Sequence, residues 1–254
     1  MSQNWKLTIP SAKVYDIPWK GQDGSIDSFK VQSSILNIPD HTHAHLWVIQ
    51  LSTFNHSAHL NTLSTEEKKK LDCFIHPVEM ENRTKSRIAL RLVLAEYLNL
   101  LPSTIEFTYG NDGKPELKSS NQKLSFNISH SSDNLVILID SNKLIGVDIE
   151  SELKSIEIGS KMAKRFFHQT EYVLLLNSKK EDQQTLFNKT WTLKEAVLKA
   201  NGTGIFSIEH APDFSGLMQE QSHSNLQFYE TEGHYGFTFR IGEQWLSSAA
   251  VHQE

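Results

Sequence analysis

The chain has 254 residues, of which 38% are hydrophobic and 22% charged, and its formal net charge is −5. This composition excludes a disordered chain and is typical of a soluble globular protein with one large domain or two of ordinary size. The acidic balance argues against a protein that mainly coats nucleic acid, so any bound anion needs a local basic cluster.

Neither a membrane segment nor a targeting segment is evident. Apolar runs such as residues 134–140 are too short to cross a bilayer, and the first ten residues lack the apolar core of a signal peptide. The single cysteine, Cys73, excludes an intrachain disulfide, and we interpret it as a buried thiol in a reducing compartment. We therefore expect a cytoplasmic protein with no membrane or nucleic-acid partner.

The first predicted element is a strand over residues 41–52. Alternate side chains of a strand share a face, so His41, His43 and His45 would lie on one side of it. Such a set could hold a metal ion, but we favour the simpler interpretation that the histidines lie at the exposed start of a strand.

Helices and strands then alternate along the chain. Ser64 and Glu67 form a capping-box signature, Pro77 indicates a break, and a long helix is predicted from about Glu79 to Leu100. The later predicted elements are a turn-bearing loop, a strand pair, another strand, two helices and a set of C-terminal strands. Their expected ranges are 109–117, 124–140, 143–150, 159–176, 183–200 and the last fifty residues.

A weak internal repeat relates the two halves. Residues 46–52 resemble residues 145–151, and each copy is followed by the pattern F-x-H-x-x-E and then by a long helix. The pattern occupies residues 74–79 in the first copy and 166–171 in the second. This shared order predicts two similar α+β halves, and the interface between such halves is a usual place for a ligand site.

Two carboxylates, Asp148 and Glu150, lie two residues apart in an apolar strand and would face the same side. Held side by side, they need a cation between them.

A second set of candidate residues lies on the following helix, where Trp191, Glu195 and Lys199 are spaced i, i+4, i+8 and form one stripe. The simpler alternative is a surface Glu–Lys pair beside a core tryptophan. Three carboxylates suit Mg²⁺, whereas no cysteine cluster or H-E-x-x-H motif suggests zinc.

A carboxylate-held Mg²⁺ commonly handles a phosphate ester, and the sequence offers cations for the phosphates. Lys114 lies in a Gly-Pro turn, where its ammonium and backbone N–H groups could both reach an anion. Ser129 and His130 are adjacent in a strand and cannot face each other as nucleophile and base, so we interpret them as donors to phosphate. No G-x-S-x-G elbow, Walker loop or G-x-G-x-x-G fingerprint is present. Further cations form a lysine run and an arginine stripe: Lys68, Lys69, Lys70, Arg83, Arg87 and Arg91.

These motifs together resemble the signatures of the Sfp-type 4′-phosphopantetheinyl transferases. The resemblance is carried by N-D-G-K-P-E-L, F-N-I-S-H-S, G-V-D-I-E, F-F-H-Q-T-E-Y and W-T-L-K-E-A-V-L-K-A, in this order, over roughly residues 45–205. It implies an enzyme that transfers phosphopantetheine from coenzyme A to a serine of an acyl, peptidyl or polyketide carrier protein, releasing adenosine 3′,5′-bisphosphate.

The resemblance also implies a fold and a set of ligands. We expect an α+β monomer of two similar halves related by a pseudo-twofold axis, which we place at residues 1–142 and 143–254. Coenzyme A, as co-substrate, and Mg²⁺ or Mn²⁺ would lie in the cleft between the halves.

Individual roles follow from matched motif positions. The expected metal ligands are Asp148, Glu150 and Glu195, and the expected catalytic set is Asp148, Glu195 as base, and Lys199 near the pyrophosphate. The expected coenzyme A contacts are Lys114, Ser129, His130 and Lys199 and, with looser alignment near the 3′-phosphate, Lys70, Arg83 and Thr84. Glu67 departs from the family pattern, because some members have a lysine there.

Two other functions remain open. A Mg²⁺-dependent phosphohydrolase or nuclease would use the same three carboxylates, but it does not explain Lys114 together with Ser129 and His130. A non-catalytic module that binds coenzyme A or a carrier protein would not need a metal and a base.

Overall fold

The computed structural model describes residues 12–18, 39, 42–110, 113–118, 124–141, 144–151, 156–219, 226–231, 233–242 and 244–251. This part of the chain contains ten strands and six α-helices, joined by loops and short 3-10 turns. None of the described helices combines the length and the apolar character that crossing a bilayer requires.

The strands are β1 Lys13–Pro18, β2 His43–Gln50, β3 Phe107–Tyr109, β4 Pro115–Leu117, β5 Ser125–Ser131, β6 Asn134–Asp140, β7 Ile145–Ser151, β8 Leu226–Glu230, β9 His234–Ile241 and β10 Gln244–Val251. The helices are α1 Thr65–Leu71, α2 Pro77–Leu98, α3 Ile156–Phe166, α4 Gln169–Asn177, α5 Lys180–Asn201 and α6 Ser215–Gln219.

Three strands of each four-stranded sheet share one topology, and the fourth strand lies at opposite edges of this shared unit. The first sheet has the order β1-β2-β6-β5, the second has the order β7-β10-β9-β8, and β3 pairs with β4 in a separate small hairpin. In the first sheet β2 precedes the helix α2, and β5 and β6 follow it. In the second sheet β7 precedes α5, and β9 and β10 follow it. In the first sheet β2 pairs with β6, which pairs with β5. In the second sheet β7 pairs with β10, which pairs with β9, so the strand before the helix holds the same place in both. The expected α+β class with two similar halves is therefore confirmed.

The side chains of β2 show how the layers pack. Trp47 and Ile49 belong to the core that α2 forms with the first sheet. Leu46 and Val48 belong to a second core, which lies between the two sheets. Because α5 packs on β7 and β10, the layers follow the order α2, first sheet, second sheet, α5.

The predicted helix over residues 159–176 is wrong, because the chain forms two helices there. The break falls at Phe167 and His168, where His168 caps α4 in a capping box with Glu171. His76 is likewise the N-cap residue of α2, so the repeated F-x-H-x-x-E pattern marks a helix start in both halves. The second copy nevertheless leads into the nine-residue helix α4 and not into a long helix.

The interpretation of Cys73 as a buried thiol is also wrong. Cys73 is exposed in the turn after α1, where its thiol donates to the backbone oxygen of Lys69 at 3.3 Å. Leu71, two residues earlier, is the residue that packs against the core.

The described histidines of β2 each have a hydrogen-bond partner within the first half of the chain. His45 Nδ1 is hydrogen-bonded to the Tyr97 hydroxyl at 2.8 Å, and His43 Nδ1 to the Thr42 hydroxyl at 2.8 Å. Both side chains are partly buried, and His41 lies outside the described residues. These contacts agree with a structural role at the start of the strand, but His43 and His45 are not exposed as expected.

Gly146 allows β7 to approach α5 closely. A Cβ atom at this position would lie 2.0 Å from the Ala196 carbonyl oxygen and 2.5 Å from the Ala200 nitrogen. We expect Gly146→Ala to lower the free energy of unfolding by about 1–3 kcal/mol or more, because backbone atoms of a buried helix cannot move aside cheaply. Urea denaturation measures this, and the control is Gly216→Ala, where no atom lies within 4 Å of the added Cβ. Equal stability of the two variants would contradict the prediction.

Candidate active site

The candidate site lies where the edge strands β5 and β7 bring the two halves together. The Val147 N–H donates to the Asn127 side-chain oxygen at 2.9 Å, and the Ser151 N–H donates to Ser131 Oγ at 3.2 Å. Ser131 Oγ in turn donates to a Glu150 carboxylate oxygen at 3.4 Å. Side chains of one half thus fix the register of the first strand of the other half.

Three predicted site residues meet at this junction. Lys199 Nζ donates to Asp148 Oδ1 at 2.7 Å, to Ser129 Oγ at 3.0 Å and to the Val147 carbonyl oxygen at 3.1 Å. Ser129 Oγ also donates to Asp148 Oδ1 at 2.9 Å. The Asp148 side chain is 7% exposed and that of Lys199 is 28% exposed, so the carboxylate is buried and the lysine remains partly accessible to solvent.

The second carboxylate oxygen of Asp148 fits a cation ligand. Asp148 Oδ2 is buried and has no hydrogen-bond partner, which is costly for a charged oxygen unless a cation approaches it. Glu150 and Glu195 are partly buried, and Glu195 lies one helical turn before Lys199. Within the described ranges, no three His, Cys, Asp or Glu side chains are grouped so as to hold a metal ion. A Mg²⁺ ion that takes one or two carboxylates and completes its shell with phosphate and water fits this arrangement.

A cavity of about 330 Å³ lies beside this junction, and its lining combines cationic and aromatic side chains with apolar residues and the carboxylate of Glu67. It brings together Lys70, Arg83 and His130, which the resemblance assigns to coenzyme A. Arg87 of the predicted arginine stripe also lines it, as do Phe74 and Tyr109, which had no role assigned from the sequence. No sequence motif indicates that Tyr109 belongs to this cavity. In the structure, Lys70 Nζ lies 3.9 Å from the centre of the Tyr109 ring.

Thr84 and Lys114 are placed differently from the other expected contacts. The Thr84 hydroxyl donates to the Met80 carbonyl oxygen at 2.8 Å within α2. Lys114 Nζ donates to the backbone oxygens of Ile145 at 3.1 Å and Lys199 at 2.6 Å. Burial lowers the pKa of Lys114 below its ordinary value, as expected for an ammonium enclosed between the two halves.

The residues of the predicted arginine stripe have different surroundings: Arg91 is held in a buried ion pair, whereas Arg87 lines the cavity. Arg91 is buried and donates to Glu67, at 2.7 Å in their ion pair, and to the carbonyl oxygens of Pro102 and Ile105. Glu67, the residue that departs from the family pattern, is therefore the structural partner of Arg91 and, with the N-cap residue Ser64, forms the capping box of α1. Arg87 approaches Glu67 at 3.6 Å and lines the cavity.

A buried ion pair anchors the helix that carries Glu195 and Lys199. Lys194 Nζ lies 3.0 Å from Glu171 Oε2, and both side chains are fully buried. Glu171 also accepts hydrogen bonds from the backbone N–H groups of His168 and Phe214, each at 2.8 Å. Sequence reasoning missed this pair, although a lysine and a glutamate inside two apolar motifs could have indicated it.

His130 should be neutral near pH 7. Burial lowers its pKa below the ordinary 6.5, and the charges of Arg83 and Lys199 lower it further. We expect an NMR titration midpoint below 6.5, which rises when an anionic ligand enters the cavity. Arg83→Gln should also raise the midpoint, because it removes one neighbouring positive charge. A midpoint at or above 6.5 in the free protein would contradict this account.

The geometry first defines a class of protein. An interface between two halves that combines a buried carboxylate oxygen lacking a partner, a lysine and a cationic cavity is suited to group transfer from a phosphorylated ligand.

Comparisons with known proteins then identify the family. Residues 144–249 match the family model described as the 4′-phosphopantetheinyl transferase superfamily, and residues 47–142 match that of the 4′-phosphopantetheinyl transferase N-terminal region. The chain is 36% identical over 169 residues to the 4′-phosphopantetheinyl transferase HetI of a Nostoc species, which covers 65% of this chain and 71% of that protein. It is 32% identical over 197 residues to the 4′-phosphopantetheinyl transferase Sfp of Bacillus subtilis, which covers 73% of this chain and 84% of that protein.

The chain therefore belongs to the 4′-phosphopantetheinyl transferase superfamily, and the resemblance seen in its motifs is confirmed. It is an enzyme of this type, which uses coenzyme A as co-substrate and transfers phosphopantetheine to carrier proteins.

Proposed function

We propose that the transfer takes place in the cleft between β5 and β7, on a serine of an acyl, peptidyl or polyketide carrier protein. The observation that carries this proposal is the contact of Lys199 with Asp148 and Ser129 beside the cationic cavity. We further propose a cytoplasmic monomer with halves at residues 1–142 and 143–254. The two matched family ranges, which fall on either side of residue 143, support this division.

The residues of the cleft suit each requirement of the reaction. The cavity with Lys70, Arg83 and His130 would hold the nucleotide end of coenzyme A. The serine oxygen forms a bond to the β-phosphorus, and the bond from that phosphorus to the bridging oxygen breaks. Adenosine 3′,5′-bisphosphate leaves with the bridging oxygen, and Lys199 offsets the charge that develops on it.

The serine proton needs an acceptor, and Glu195 is the proposed base, one helical turn before Lys199. A positioned base typically contributes about 10²–10⁴-fold to the rate. Mg²⁺ or Mn²⁺ held by Asp148, with Glu150 and Glu195 as further ligands, would supply charge withdrawal from the pyrophosphate.

The deciding experiment combines the protein with coenzyme A, Mg²⁺ and several apo carrier proteins, and each carrier is weighed by mass spectrometry. We expect the mass of one phosphopantetheine on at least one carrier and none on the same carrier with its serine replaced by alanine. Absence of the adduct from every carrier would contradict the proposed function. The phosphohydrolase alternative predicts cleavage of coenzyme A without a carrier, and the binding module predicts no reaction.

The metal has a separate test in the same assay. EDTA should stop the transfer, and an excess of Mg²⁺ or Mn²⁺ should restore it. Transfer at an unchanged rate in EDTA would show that the metal assignment is wrong while leaving the transferase function in place.

The rim of the cavity offers a surface for the carrier. Ile75 is 90% exposed and Val78 is 72% exposed, beside Phe74, which lines the cavity. Exposed lysines on α1 precede this apolar surface, which suits a carrier that is acidic around its serine. Ile75→Asp should raise KM for the carrier and leave KM for coenzyme A unchanged. The control is Leu176→Asp on α4, which changes another exposed aliphatic residue, and equal effects of the two changes would contradict this docking surface.

A further inference from the structure

All three hydrogen atoms of the Lys199 ammonium are already used within the protein. They are donated to Asp148 Oδ1, Ser129 Oγ and the Val147 carbonyl oxygen, at 2.7, 3.0 and 3.1 Å. An ammonium has three donors and no acceptor, so Lys199 has none left for a phosphate in this arrangement. A lysine that acts on the pyrophosphate must therefore first give up at least one of these contacts.

The same contacts compensate the charge of Asp148. Its Oδ1 atom accepts from both Lys199 and Ser129, and only Oδ2 has no partner. A divalent cation at Oδ2 would lie close to the Lys199 ammonium, and like charges in a largely buried site repel each other strongly. Lys199 therefore already supplies the positive charge that a metal ion would otherwise bring to Asp148.

We propose that Lys199 is an internal counter-cation of Asp148, which keeps the metal position closed until the pyrophosphate of coenzyme A draws the lysine away. This inference rests on the proposed metal role of Asp148. It makes the binding of metal and coenzyme A mutually dependent, since each ligand favours the same displaced position of Lys199, and such coupling is reciprocal.

The surroundings allow the side chain of Lys199 to move while its backbone stays in place. Lys114 Nζ donates to the Lys199 carbonyl oxygen at 2.6 Å and to the Ile145 carbonyl oxygen at 3.1 Å, which ties the end of α5 to β7. The Lys199 side chain is 28% exposed, so its flexible four-carbon stem has a way out of the cleft.

The test measures Mn²⁺ binding by calorimetry and electron paramagnetic resonance, at fixed pH and without a carrier protein. Lys199→Met removes the positive charge and keeps an unbranched side chain. We expect this variant to bind Mn²⁺ about tenfold or more tightly than the wild type in the absence of coenzyme A, because a hydrogen bond to a charged group no longer has to be broken. The matched control is Lys164→Met, an exposed lysine on α3, which should bind Mn²⁺ as the wild type does.

A second measurement compares two nucleotides, first in the wild type and then in Lys199→Met. In the wild type, coenzyme A should tighten Mn²⁺ binding strongly. Adenosine 3′,5′-bisphosphate, which has the nucleotide but no pyrophosphate, should tighten it little. In Lys199→Met the effect of coenzyme A should shrink, because the metal position is already open.

Four outcomes overturn the inference: unchanged or weaker Mn²⁺ binding in a folded Lys199→Met, equal tightening by the two nucleotides, an undiminished coenzyme A effect in the variant, or no Mn²⁺ binding with coenzyme A present. Each is distinct from a failure of the proposed function, which is judged separately by the phosphopantetheine adduct on the carrier.

Discussion

Asp148→Asn should abolish transfer, lowering the rate at least about a hundredfold, while the protein remains folded. Asparagine keeps the volume of the side chain, and its oxygen can still accept from Lys199 and Ser129. It removes the negative charge that a divalent cation requires, and it leaves the Lys199 ammonium without its counter-charge. Rates come from carrier mass spectra over time, and the fold is checked by circular dichroism and urea denaturation.

The control for this prediction is Asp182→Asn, which changes an exposed aspartate in the first turn of α5 and should leave the rate unchanged. Glu195→Gln provides an independent check at the proposed base and should also abolish transfer. Near-normal turnover in Asp148→Asn or in Glu195→Gln would show that the assignment of metal ligand or base is wrong at that position.

Local spacing correctly predicted on which elements several candidate site residues lie. Gly146 and Asp148 lie in the predicted strand, and the i, i+4 relation placed Glu195 and Lys199 on one stripe of a helix. These statements depend only on the periods of strands and helices, which the sequence displays directly. The partner of Lys199 could not be inferred in the same way, because its contact with Asp148 joins residues 51 positions apart.

Contacts between distant segments account for the remaining differences. Helical spacing placed Arg91 among the cations available for a phosphate, but Glu67 on a different helix takes it as a buried partner. Lys114 sits in the predicted turn, yet its ammonium is bound by carbonyl oxygens of the other half. The break between α3 and α4 was hidden for a different reason: apolar residues continue through Phe167, and only the capping of α4 by His168 and Glu171 marks the end of one helix and the start of the next.

Glu171→Ala is expected to cause the largest loss of stability, at least about 3–5 kcal/mol in the free energy of unfolding. Glu171 and Lys194 are both fully buried, so the change leaves the Lys194 ammonium in the core without its counter-charge. It also leaves the buried N–H of Phe214 and the N–H of His168 without their acceptor. The measurement is urea denaturation, and the control is Glu106→Ala in the exposed pair with Lys118, where about 0–1 kcal/mol is expected.

The ion pair itself is isolated by a double-mutant cycle with Lys194→Met. That single change should also destabilise the protein, since it leaves the Glu171 carboxylate buried with two backbone donors and no cation. The double variant should be less destabilised than the sum of the two single variants, by roughly 0.5–3 kcal/mol, because neither charge then remains buried alone. Additive effects would show that Glu171 acts mainly as the acceptor that caps α4 and orients Phe214.

Because α5 carries both Glu195 and Lys199, a variant that remains folded at low temperature should retain transfer there and lose it at the temperature where it unfolds. Loss of transfer in the folded state would instead assign the pair a direct role in positioning the catalytic helix.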